Sequence, residues 1–250
     1  MLIIILIFPL GLQAQITYIG SNSNPVDAAA ATLGGATPVA ITPVAGIQTG
    51  DLVVIVSTVR NTTAVMDISV TGGQEWFKEV QVSNTNIGGR LFWCRFNGTW
   101  AANPSISFAN TTGTTVVMHV FRPTKSSNFW AIEAAGTELD FAAPANPFTV
   151  TITGRTTRNQ SSVTIASWFT ADDNAWGTLV GTGWLVLGSA QYRNQNGTDN
   201  SCTFAYTIKT SSGATNNVSK NQTANGGDLG TSQIITFFER GRNMPLGYYY

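Results

Sequence analysis

DLVVIVSTV, residues 51–59, decides the fold class. In an extended chain successive side chains point to opposite faces. Leu52, Val54 and Val56 therefore fall on one side and Val53, Ile55 and Val59 on the other. A strand that is apolar on both faces belongs in the middle of its sheet, with each face covered by another layer. Gly50 and Asp51, just ahead, supply turn chemistry that opens the strand.

Working outward, short β-branched and aromatic runs alternate with turn formers along the whole chain. They include WFKEVQV (76–82), RLFWCRF (90–96), TTVVMHVF (114–121), FWAIEA (129–134), SVTIASWF (162–169), WLVLGSAQY (184–192), CTFAYTIK (202–209) and SQIITFFE (232–239). Such residues suit a pleated, half-buried surface. The sole helical candidate is the alanine-rich VDAAAATLGG (26–35), and residues 211–230 read as a polar loop. The chain thus reads as all-β.

The runs also come in a repeated order. DLVVIVST, a Gly-x-x-Trp segment at Trp76, RLFWCRF and TTVVMHVFRP are followed by SVTIASWF, a Gly-x-x-Trp segment at Trp184, CTFAYTIK and TSQIITFFER. Trp76 lies 18 residues before Cys94, and Trp184 lies 18 before Cys202. Matched order and spacing predict a jelly-roll-like antiparallel β-sandwich built from two related halves, about 40–123 and 148–242, within one domain spanning 15–242. Residues 243–250 form a C-terminal tail without an evident strand partner.

The run GIQTGDLVVIVSTV, then GGQEWF, RLFWCRF, SISFA and TTVVMHVFRP, resembles a family of β-sandwich modules found in phage structural proteins and secreted bacterial surface proteins. SVTIASWFTADD, GTGW and TFFERGR restate the pattern, so the likeness covers roughly residues 40–242. The resemblance implies a sandwich fold and an extracellular or virion setting. It carries no catalytic residues, and neither cysteine belongs to its pattern.

Composition narrows the function classes. Charged residues make up 10% of the 250, with 13 basic balanced by 13 acidic and a net charge of zero. Nucleic acid is excluded as a partner, because its phosphates demand a basic surface. Low charge also weakens colloidal repulsion and favours self-association. The opening MLIIILIFPLGLQA (1–14) has the length of a secretory apolar region and a tolerable cleavage site before Gln15, though no basic residue precedes it. It is too short to span a bilayer, so the sequence predicts export without a membrane span. Seven Asn-x-Ser/Thr sequons begin at Asn61, Asn97, Asn110, Asn159, Asn196, Asn217 and Asn221; they matter only in a host that glycosylates.

Few residues invite chemistry. His119 is the sole histidine and shares a face with Val117 and Phe121, as a core side chain would. Asp172, Asp173 and Asn174 follow a strand and offer oxygen ligands for calcium, or else form an Asx-rich turn. No cofactor motif is present. Trp100 and Trp176 fall in polar stretches and are the candidate sugar platforms, whereas Trp93 and Trp168 read as core and Trp76 and Trp184 as structural plugs. Cys94 and Cys202 are either a bridge between the halves or two separate buried thiols. The sequence therefore predicts a secreted, non-enzymatic structural or adhesive subunit of a cell-surface assembly, appendage or virion. Its rivals are a carbohydrate-binding module using loop aromatics and, last, a sandwich-fold glycosidase.

Overall fold

The computed structural model describes residues 15–24, 38–60, 65–69, 73–108, 114–134, 139–142, 148–194, 199–222 and 229–241. The leader (1–14), the helical candidate (26–35) and the tail (243–250) lie outside them, as do the sequons beginning at Asn61, Asn110 and Asn196. Every regular element among the described residues is a strand, and every ladder is antiparallel.

Two large sheets form the centre. The first runs β1 (Thr17–Asn24), β9 (Thr114–Arg122), β3 (Leu52–Val59), β7 (Ile87–Arg95) and β5 (Phe77–Lys78), with β6 (Val82–Asn84) also beside β7. The second runs β10 (Phe129–Ala134), β21 (Leu229–Arg240), β14 (Ser162–Thr170), β18 (Asn200–Lys209) and β16 (Leu185–Val186). Here β17 (Tyr192–Asn194) also pairs with β18, and β11 (Leu139–Ala142) with β21. Two small sheets act as covers. One is β2 (Val39–Ala40), β8 (Ser105–Ser107) and β4 (Asp67–Ile68); the other is β12 (Phe148–Ile152), β20 (Val218–Gln222) and β15 (Trp176–Val180). The short strands β13 (Thr156–Thr157) and β19 (Gly213–Ala214) pair separately.

Strand order matches between the two sets. From edge to edge, β1, β9, β3, β7 and β5 of the first sheet correspond to β10, β21, β14, β18 and β16 of the second, and each set of five has the same relative order along the chain. The covers correspond likewise, β2-β8-β4 to β12-β20-β15.

Three cores fix the layering. The central one joins the large sheets face to face, through Leu52, Val54 and Trp93 from the first and Ile165, Phe169 and Phe237 from the second. An outer core packs Val53, Ile55 and Phe92 under Ile68 and Ile106 of the first cover. The other packs Trp168, Ala205 and Ile234 under Val150, Trp176 and Val218 of the second. The order is cover, large sheet, large sheet, cover. Each large sheet is thus buried on both faces, which is why DLVVIVSTV is apolar on both: β3 is central and wholly buried.

The Gly50-Asp51 turn shows how local sequence serves this layering. Gly50 has φ +98°, and a Cβ there would stand 2.5 Å from the Ser126 carbonyl oxygen, so no other residue fits without movement. Its carbonyl accepts the Trp130 indole N–H of the second large sheet at 3.0 Å. The buried Asp51 carboxylate accepts the Gln48 amide (2.8 Å) and both Nε and Nη2 of Arg122 (3.1 and 3.0 Å). That bidentate pair holds the guanidinium above its usual pKa range.

Two expected strands prove to be broken. WFKEVQV divides into β5 and β6, and WLVLGSAQY into β16 and β17. In the second case Gly188, at φ +75°, lets the chain turn where a Cβ would meet the Tyr192 hydroxyl at 2.1 Å.

Candidate functional site

Pairing of β14 with β18 sets Thr170 opposite Ser201. The turn after β14 therefore lies beside the residue that precedes β18. This brings Asp172 and Asp173 together with Asp199, all half-buried, with ligand oxygens within 4.8 Å of one another. Carboxylate oxygens are the hard ligands calcium takes, and three acids supply part of the about six to eight oxygens it needs. Asp199 was hidden in the sequence because it lies far along the chain from the other two. Asn174, expected as a ligand, points its backbone carbonyl at Gln222, whose Nε2 donates to it at 3.0 Å. The trio also has a cation of its own: Arg60 Nη1 lies 2.5 Å from Asp199 Oδ1. Arg193 Nη1 donates to the Asp173 carbonyl at 3.3 Å. These acids sit in a strand-end turn braced by arginines.

The aromatic candidates separate. Trp176 opens β15 and is 5% exposed, not in a loop as expected. Its Nε1 donates to Ser201 Oγ at 3.1 Å, so neither ring face is presented to a ligand. Trp100 is half-buried and stacks on Phe96 (centroids 4.6 Å apart) and on Trp76 (6.1 Å). Trp93, Trp168, Trp76 and Trp184 are all buried, as read from the sequence.

The cysteines are both free and buried. Cys94 faces the first outer core and Cys202 the central core, so a whole sheet thickness separates their environments. The equal spacing from Trp76 and Trp184 misled here: one residue of slip in register turns a side chain to the other face. Burial raises the pKa of each thiol well above its ordinary value.

Accessible surface of a binding kind lies at the rims where the large sheets meet. On one rim Phe77 stacks on Trp93 at 4.3 Å, and the Arg95 guanidinium sits 5.2 Å from the Phe129 ring. Phe77 and Phe129 are each 46% exposed and Val80 is 81% exposed. On the other rim Leu185 occupies the place of Phe77, opposite Tyr206 rather than Trp93. A leucine fills less space, and a groove of about 390 Å³ remains, lined by Ile16, Thr17, Tyr18, Leu185, Tyr206 and Ile208 among others, none of them charged. Leu185 is the exposed apolar side chain at this groove, while the exposed Val186 falls on the other face of the strand and the exposed Val180 belongs to the second cover. The groove lies beside the N-terminal half of β14 and the acids beside its C-terminal end, roughly 25 Å away at about 3.4 Å per residue. The acids and the groove therefore do not form one cleft.

His119 and Lys220 join Asp51 and the two cysteines as buried titratable groups. His119 in β9 is fully buried against Phe204 and Tyr18, and burial depresses its pKa to about 3. Lys220 in β20 is 1% exposed and donates to the carbonyls of Gly177 (3.2 Å) and Ala190 (3.1 Å). Burial lowers its pKa.

No family model, curated protein or solved structure matches the chain. Among the described residues no helix is long and apolar enough to cross a membrane.

Proposed function

We propose that the chain is a secreted, non-enzymatic structural or adhesive subunit of a surface assembly, appendage or virion, built from two related halves. The carrying observation is the set of large apolar side chains left exposed at sheet edges and on the second cover: Phe77, Val80, Phe129, Val180, Leu185 and Val186. Monomeric proteins rarely leave such patches at the edges of their sheets, where unpaired strands already invite another chain. A net charge of zero leaves little repulsion to oppose contact. The matched strand order supports the two-halves reading. A non-enzymatic reading is supported by the chemistry available: the sole imidazole is buried, the acids are braced by arginine, and the groove has no titrating acid or base of its own near neutrality.

The test is the oligomeric state of the secreted protein, by light scattering and electron microscopy over a concentration series. Association is expected, weakened at least about tenfold by Leu185→Glu or Phe129→Glu, which place a charge in an apolar contact worth about 1.4 kcal/mol or more. A wild-type protein still monomeric at about 1 mM, where an association of about 4 kcal/mol registers, overturns the proposal.

A further inference from the structure

The layer between the two large sheets is not uniformly apolar. Tyr18 packs against the central core, and by strand alternation Thr58, His119, Ser167, Thr231 and Gln233 point into it as well. Thr58 Oγ1, Ser167 Oγ, Thr231 Oγ1, Gln233 Nε2 and both ring nitrogens of His119 are buried without a protein hydrogen bond. Tyr18 Oη is buried too; the Ser21 hydroxyl is near enough to lower its pKa but does not form a well-aligned hydrogen bond with it. A buried donor or acceptor left unsatisfied costs about 1–3 kcal/mol, and native interiors leave few.

Apart from Thr58, which pairs with Thr115 four residues along β9 from His119, these groups can be linked one to the next. The Tyr18 and His119 rings lie 6.4 Å apart, and His119 meets Phe204 edge-on at 5.1 Å. Phe204 stands opposite Ser167 in the β14–β18 ladder. Ser167 stands opposite Gln233 in the β14–β21 ladder, with Thr231 two residues further along the same face. A polar seam thus runs from Tyr18 across the inner face of the second large sheet. Tyr18 also lines the rim groove, so the seam begins directly beneath an opening to solvent.

A neutral imidazole holds one donor and one acceptor, and a phenol can give and take. Water supplies both complements in about 2–4 hydrogen bonds and occupies polar interior sites about once per 27 residues. We infer that the protein binds ordered water between its two large sheets, held chiefly by His119 and Tyr18 and extending along Ser167 and Gln233. Water is the ligand the chemistry selects: the seam mixes donors and acceptors, carries no ion partner, and lies where an apolar ligand would leave every one of these atoms unpaired. The site belongs to the single chain and persists in a strictly monomeric protein.

Nuclear magnetic resonance on the full ¹⁵N-labelled chain tests this through the one histidine, which needs no assignment by mutation. The expected result is a slowly exchanging imidazole N–H with a cross-peak to water, and a second ring nitrogen shifted as a hydrogen-bond acceptor. Tyr18→Phe removes one anchor and should lose or shift that cross-peak, with His119 still buried. An imidazole without a water cross-peak in the wild type, its N–H resting on the Phe204 face, overturns the inference. The wild-type measurement decides even if Tyr18→Phe fails to fold.

Discussion

The two outer layers share a strand order and differ in what fills them. Beneath β2-β8-β4 the inward residues are largely aliphatic and aromatic, Val53, Ile55, Phe92, Val120 and Ile106, with Ser57 buried beside them and Arg90 Nη1 donating to the Met66 carbonyl at 2.6 Å. Beneath β12-β20-β15 the inward face of β20 reads Val218, Lys220, Gln222, all buried. The second layer combines a large ring with a hydrogen-bonded network. Gln222 Nε2 donates to Thr170 Oγ1 (3.0 Å) and Ser201 Oγ (3.1 Å), and Trp176 Nε1 shares that Ser201 oxygen. The contrast separates two things that sequence patterning usually shows together. Strand order is set by which edges pair, whereas the filling of a layer needs only that apolar volume be packed and polar groups be partnered.

The sharpest way to break the comparison is to empty the second layer. Trp168 is fully buried there, and its Nε1 donates to the Val150 carbonyl of the cover at 3.3 Å. Trp168→Ala should cost about 3–5 kcal/mol in urea denaturation, since both ring volume and the tie to the cover are lost. A loss under about 1 kcal/mol would mean that the second cover contributes little to stability. A smaller effect probes how closely the cover approaches. A Cβ on Gly154 would lie 2.1 Å from the Thr215 carbonyl oxygen and 2.7 Å from that of Asn216, both backbone atoms that cannot swing aside. Gly154→Ala should therefore cost about 1–3 kcal/mol by overpacking, read as a lowered thermal midpoint.

Lys220 sharpens the comparison by pH. Burial disfavours its charged form, so the folded pKa lies below the unfolded value of 10.5. Between those two values the unfolded chain binds the extra proton, and stability must rise with pH until the unfolded lysine has also lost its charge. Lys220→Met keeps the length of the side chain without the charge. Denaturation curves should show wild-type stability climbing toward about pH 10.5 relative to the variant; parallel curves would show that Lys220 stays charged in the fold.

Lys220 and Gln222 also explain what could be read in advance. The strands of the two large sheets were legible because both their faces are apolar, and His119 was legible as core because Val117 and Phe121 flank it on one face. β20 was read as polar loop because Lys and Gln at its inward positions erase the period-2 apolar signal. Trp176 reads as loop for the related reason that its neighbours Asp172, Asp173 and Asn174 are turn formers, although Trp176 itself is buried at the start of a strand. The acidic trio was half-legible: two members are adjacent in sequence, but Asp199 joins them only through the β14–β18 ladder. Long-range pairing and inward polar residues are what local patterning cannot express.

The smallest predicted effect completes the comparison of the layers' lysines. The first layer has its own, Lys78, but on the rim: its Nζ lies 2.5 Å from Asp67 Oδ1, with the two side chains 42% and 54% exposed. The hydrogen bond from Lys78 lowers the Asp67 pKa below 3.8, so whatever stability the pair adds is present above that value and lost as pH falls through the folded pKa. Water and salt screen such an exposed pair, and the two long side chains lose entropy in forming it. Asp67→Asn should therefore change stability by about 1 kcal/mol or less, with the difference shrinking further as salt is added. A loss of several kcal/mol would mean that the pair is shielded on the rim, as it would be if Phe77 and its neighbours were covered by a second copy under the conditions of measurement. Repeating the titration on protein diluted below its association range separates those cases: a loss that vanishes on dilution comes from the interface, and one that persists belongs to the single chain.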